Sequence, residues 1–120
     1  MAELAQIGIT DENVKCLEKL KRSEYFDEMQ DAARFAASLA INKKLYIGKD
    51  LINIGTKLNT RWNTSLVDPD YFFRNFIKHC ELCPSDYGIG LRSLIILGLD
   101  YIYSKIKDSE DILIGEFFDD

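Results

Sequence analysis

The residues best suited to chemistry are His79-Cys80-Glu81-Leu82-Cys83. Thiolates and imidazole are soft metal ligands, and a Cys-x-x-Cys beside a histidine has the donor types of a zinc or redox site. Structural zinc takes four ligands, and Cys16 is the one further cysteine that could complete the set. The spacing also admits a plainer reading. Cys80 and Cys83 continue the apolar stripe of Phe72, Phe73, Phe76 and Ile77 at helical intervals, and free cysteine packs as a small apolar residue. A redox Cys-x-x-Cys starts a helix, where the dipole lowers the thiol pKa; this one precedes Pro84 and ends a helix. Core packing is therefore the favoured role, and no metal or cofactor is expected.

Other constellations are weaker. His79 is the only histidine, and no Gly-x-Ser-x-Gly pattern supplies a nucleophile for it to serve. Gly88-Ile89-Gly90 lacks the third glycine and the lysine of a phosphate loop, and reads as a helix-entry loop. Asp68 and Asp70 flank Pro69 as helix-start residues rather than metal ligands. No catalytic set is legible, so the expectation is a non-enzymatic protein.

Charge is distributed unevenly along the 120 residues. The net charge is −5, but Asp108, Glu110, Asp111, Glu116, Asp119 and Asp120 give residues 108–120 a charge of −6. Residues 43–78 are basic, with Lys43, Lys44, Lys49, Lys57, Arg61, Arg74 and Lys78 against three acids. Lys43, Lys44, Lys49, Lys57 and Arg61, with Trp62 beside them, form the candidate nucleic-acid contact, since phosphates need clustered cations and bases stack on aromatics. The acidic chain and the lack of a DNA-reading motif make this the alternative reading. The tail is the better partner-binding signal. Ile112, Phe117 and Phe118, flanked by Asp119 and Asp120, can dock as a short apolar-acidic peptide, or close the domain's own core as a strand.

These residues must be positioned by a scaffold that is mainly α. The sequence predicts a single compact domain over residues 1–107, followed by the acidic apolar tail 108–120. About four principal helices are expected, with an irregular or weakly β middle. Thr10 is a candidate N-cap for a helix over 11–22, with Asp11 and Glu12 in its first turn and Lys19, Lys21 and Arg22 in its last. The second helix begins between Ser23 and Asp27 and runs to Ala40, with Asp27 and Gln30 spaced as a capping box. Ala32, Ala33, Ala36, Ala37 and Ala40 give it a small apolar face. Residues 42–67 contain Gly48, Gly55 and a chance of a short strand at Leu51-Ile52-Asn53-Ile54, and Trp62 is expected to pack back over the core.

Asp68 caps a third helix with Pro69 at its first position, and a fourth runs from Ser85 or Asp86 to about Lys107. The wide stripe of Leu91, Leu94, Ile95, Gly98, Leu99, Ile102 and Ile106 marks that helix as central. Gly98 in its middle implies close approach of another helix, and the alanine face is the natural partner.

No apolar run is long enough to span a membrane, and Leu94–Leu99 is the longest. The first eight residues lack a basic n-region. Three cysteines, an odd number, argue for a reducing compartment. A cytoplasmic protein is expected.

Three segments together resemble one family. They are Phe26-Asp27-Glu28-Met29-Gln30-Asp31 leading into Phe35-Ala36-Ala37, then Trp62-Asn63-Thr64-Ser65-Leu66-Val67-Asp68, and Leu97-Gly98-Leu99-Asp100-Tyr101-Ile102. The chain is similar over about residues 24–106 to the small accessory proteins associated with Dnd-type DNA phosphorothioation and related phage-defence loci. The resemblance implies a bacterial or archaeal cytoplasmic protein acting beside larger DNA-processing enzymes. With the apolar acidic tail and the lack of site chemistry, it leads to the expectation of an accessory subunit that binds a larger protein of the same system, a homo-oligomer being left open. Its motifs are structural, so no catalytic residue is carried over. The His79–Cys83 stretch and the tail lie outside the likeness.

Overall fold

The computed structural model describes residues 6–22, 26–48, 59–80 and 87–106. The elements in chain order are β1 (Gln6–Ile9), α1 (Asp11–Arg22), α2 (Met29–Asn42), β2 (Asn59–Asn63), α3 (Thr64–Val67), α4 (Phe72–Cys80) and α5 (Tyr87–Ile106). Helix accounts for 72% of the described residues, so the expected mainly α class holds, with α3 a single extra turn. The candidate strands at 51–54 and 112–118, and the tail 108–120, lie outside the described residues.

The core is built on α5, which packs chiefly on α2 and is also flanked by α1, α4 and β1. The whole predicted stripe from Leu91 to Ile106 is buried, and Gly88, Gly90, Ser93 and Ile96 are buried as well. A helix buried around so much of its girth belongs at the centre of a fold. On α2, Ala32, Ala33, Ala36, Ala37 and Ala40 are all fully buried. Their small side chains let α5 approach closely, and Gly98 sits directly against the backbone of Ala36.

Thr10 caps α1 as expected. Its Oγ1 accepts from the Asn13 backbone N–H at 3.1 Å, and the Asn13 side-chain oxygen accepts from the Thr10 N–H at 3.1 Å. This is a reciprocal capping box with asparagine in place of the usual glutamate or glutamine. Cys16, Leu17 and Leu20 then bury the inner face of α1.

Four sequence expectations are corrected. The proposed Asp27–Gln30 capping box does not form. The N-cap of α2 is Glu28, with extended backbone and no side-chain cap hydrogen bond, and the helix starts at Met29. Pro69 does not open α4, which starts at Phe72; Pro69 and Asp70 form a turn in which the Tyr71 N–H reaches the Asp68 carbonyl at 3.3 Å. Gly88-Ile89-Gly90 is not an entry loop but the first turn of α5. Phe72 is not core: the buried line of α4 is Phe73 and Ile77, Phe76 is half-buried, and Phe72 is 62% exposed.

The β element missed by sequence is β1. It pairs antiparallel with β2, aligning Gln6 with Asn63, Ile7 with Trp62, Gly8 with Thr60 and Ile9 with Asn59. The register skips Arg61, so a bulge falls at that residue. Ile7, Ile9 and Trp62 are buried, and Trp62 packs back over the core as anticipated.

Candidate functional site

Cys16 is a free thiol buried between α1 and α5. Burial pushes its pKa up to about 12, helped by the negative charge of Asp100 and opposed by Lys19. A thiol so held is protonated at neutral pH and is a poor metal ligand or nucleophile. His79 stands exposed on α4. Cys83 and the side chain of Cys80 lie outside the described residues. Among the described residues, no three His, Cys, Asp or Glu side chains converge as a metal site.

The polar cluster around Cys16 joins two helices. Asn13 is fully buried, and its Nδ2 donates to Asp100 Oδ1 at 2.8 Å. Asp100 is itself exposed, yet partial desolvation of its carboxyl raises its pKa; the Asn13 hydrogen bond lowers it and the charge of Glu12 raises it again. Further along α1, Lys19 Nζ donates to the Ile106 carbonyl at 2.7 Å, capping the C-terminus of α5 with a cation. Neither contact is legible from sequence, because each spans 87 positions.

The corner between α3 and α4 carries the most distinctive surface. Asp68 is 3% exposed and is the hub of the corner. Its Oδ1 accepts from the Phe73 N–H at 3.2 Å, and its Oδ2 accepts from the Arg74 N–H at 2.9 Å and the Tyr87 hydroxyl at 2.7 Å. Asp68 thus caps α4 from across the turn and ties it to the start of α5. The Arg74 guanidinium lies 5.1 Å from the Tyr87 ring centre and 5.8 Å from that of Tyr71, both in cation–π range.

Tyr71 has φ of 57°, a left-handed backbone that costs a bulky residue free energy. Tyr71, Phe72 and Leu66 are three of the four large apolar side chains exposed among the described residues, and they fall within seven positions. Beside them opens a cleft of about 440 Å³ lined by Arg34, Val67, Pro69, Asp70, Phe72 and Phe73 among others. Arg34 braces it, donating to the Leu66 carbonyl at 3.0 Å and the Val67 carbonyl at 3.3 Å while pairing with Asp31.

Of the candidate nucleic-acid residues, the three that are described, Lys43, Lys44 and Arg61, do not share one face. Lys43 and Lys44 form the C-terminal cap of α2, while Arg61 lines a second cleft with Met29 at the opposite end of that helix. The length of α2 separates them by roughly 20 Å. Lys49 and Lys57 lie outside the described residues, as do Ile112, Phe117, Phe118, Asp119 and Asp120. The exposure of Phe72 is not legible in the sequence because residues 72–77 carry apolar side chains on two adjacent rows of α4, and only the row of Phe73 and Ile77 is covered.

No family model, curated protein or solved structure matches the chain. No helix among the described residues is long and apolar enough to cross a membrane.

Proposed function

We propose that this chain is a non-enzymatic accessory subunit that docks onto a larger protein of a bacterial DNA-modification or phage-defence system. The supporting observation is the apolar corner of Leu66, Tyr71 and Phe72 beside its braced cleft. Large apolar side chains gathered at a surface corner mark interaction sites, and aromatic anchors carry much of the energy of interfaces. The left-handed backbone of Tyr71 fits the same role, since residues in such conformations cluster at binding surfaces where the surrounding structure holds them. The direction towards DNA modification and defence comes from the sequence resemblance over residues 24–106.

The test uses purified proteins encoded beside this gene as prey and the full chain as bait. Wild type is expected to capture one of them, and Phe72→Ser with Leu66→Ser is expected to weaken capture at least tenfold with an unchanged melting midpoint. A second bait ending at residue 107 measures the share of the tail. Failure of wild type to capture any neighbour, or equal capture by the corner variant, overturns the proposal.

A further inference from the structure

The second cleft has the makings of a small-ligand site. It encloses about 320 Å³ between α1, the first residue of α2 and β2, and is lined by Val14, Leu17, Glu18, Lys21, Met29, Arg61 and Trp62. That volume is at the lower end of ligand pockets, which run from roughly 300 to 1,000 Å³. Val14, Leu17 or Glu18, and Lys21 follow one another at helical intervals, so a single face of α1 forms one wall.

The lining divides by chemistry. Val14, Leu17, Met29 and Trp62 offer an apolar floor, and Trp62 is 7% exposed. Among the described lining residues, Glu18, Lys21 and Arg61 are exposed and supply two cations against one anion. None of these three side chains has an ion pair or hydrogen bond to another described residue. Arg61 is also the residue that the β1–β2 register skips, and bulges commonly re-aim a side chain at a functional surface. A compact apolar cavity with a few polar groups at its mouth is the usual form of a small-molecule site.

We propose that this cleft binds a small carboxylic acid, its hydrocarbon body on Trp62 and Leu17 and its carboxylate between Lys21 and Arg61. The excess of cations selects the anion over a neutral molecule of the same shape. Arg61 supplies a planar donor fork for the carboxylate, and Lys21 a point charge. This site is distinct from the Phe72 corner, and its occupancy does not depend on the accessory role.

Trp62 is the only tryptophan of the chain and lines the cleft, so its emission reports the site directly. Titration of the full chain with sodium octanoate, below its micellar range, is expected to shift Trp62 emission saturably. Octanol, which has the same chain without the charge, is expected to bind at least fivefold more weakly. Arg61→Gln and Lys21→Gln, both surface changes, are each expected to weaken octanoate at least threefold and leave octanol unchanged. No saturable shift up to millimolar octanoate overturns the proposal. So does equal binding of octanol, or octanoate binding that neither substitution weakens. A shift produced by a peptide with a C-terminal leucine, but by no free acid, would replace the small acid with a partner's C-terminus.

Discussion

Gly98 of α5 lies directly against the backbone of Ala36 of α2: a Cβ added at Gly98 would fall 2.8 Å from the Ala36 Cα and closer still to its carbonyl. Backbone cannot yield as a flexible side chain does, so the helices would have to separate. Alanine is the better helix former by up to about 1 kcal/mol, which favours Gly98→Ala at an unconstrained site. Here overpacking outweighs it, and Gly98→Ala is expected to lose about 1–3 kcal/mol in urea denaturation. Ala36→Leu, on the facing helix and fully buried, should also destabilise. A melting midpoint that holds or rises in both variants would refute the close approach.

The corner around Asp68 should be similarly sensitive. Tyr87→Phe removes one hydrogen bond to a buried carboxylate and is expected to cost about 1.5–3 kcal/mol. Asp68→Ala should cost more, since it also strands the backbone N–H groups of Phe73 and Arg74. Chemical denaturation of both variants measures the order. Equal losses would mean that Asp68 does not cap α4.

The contrast between these two sites shows where sequence reading succeeds. The Ala36–Gly98 contact was legible because small residues on a helix face, and a glycine inside an apolar helix, each leave a periodic trace. Thr10 and Trp62 were legible for similar reasons: a cap has a local spacing, and a large aromatic seeks burial. The role of Asp68 was half legible. Its capping followed from composition, but the intervening turn at Pro69–Tyr71 shifted the helix start to Phe72, and the Tyr87 bond depends on tertiary approach. β1 was hidden because four residues with a bulged partner show too short an alternation. Neither cleft was legible at all. One forms where the contiguous stretch from Val67 to Phe73 meets α2, the other where α1 and Met29 meet β2, and no local pattern encodes either meeting.

Asp100 imposes a pH dependence whose sign is fixed by burial. Its pKa is raised in the folded state, chiefly by desolvation, so the folded chain holds that proton more tightly than the unfolded chain. Its contribution is therefore most favourable below the ordinary carboxylate pKa and is lost as pH rises through the raised value. Asp100→Asn keeps an acceptor for Asn13 and carries no charge. The variant is expected to melt higher than wild type at pH 7, with the difference shrinking as pH falls below 4. A variant that melts lower at neutral pH would show that the ionised Asp100–Asn13 bond outweighs desolvation.

Cys16 acts at the other end of the scale. Its folded pKa of about 12 lies above the ordinary thiol value, so folding opposes its ionisation. The cost appears once pH passes about 9 and grows towards pH 12, at no more than about 1.4 kcal/mol per pH unit. Cys16→Ala leaves a small cavity but has nothing to ionise. Its stability should fall less steeply than wild type between pH 9 and 11 in paired urea titrations. Parallel curves would mean that Cys16 reaches solvent without local opening.

Lys44 offers a test in the opposite direction, a substitution that should stabilise. The Leu45 N–H bonds the Ala40 carbonyl at 2.9 Å and the Lys44 N–H bonds the Ile41 carbonyl at 3.1 Å, which is the double closure of a Schellman cap. Lys44 occupies its left-handed position with φ of 55°, where glycine carries no Cβ penalty. The lysine side chain is exposed, so little packing is lost on its removal. Lys44→Gly relieves a backbone cost of about 1–2 kcal/mol and adds a smaller entropy cost in the unfolded chain. A net gain of about 0.5–1 kcal/mol is expected, read as a higher denaturation midpoint with an unchanged slope. Because Lys44 is also a candidate phosphate contact, the same variant separates the two roles. Stability gained with no change in low-salt DNA affinity assigns Lys44 to the helix cap alone, whereas weaker binding with a shallower salt dependence assigns it a phosphate as well.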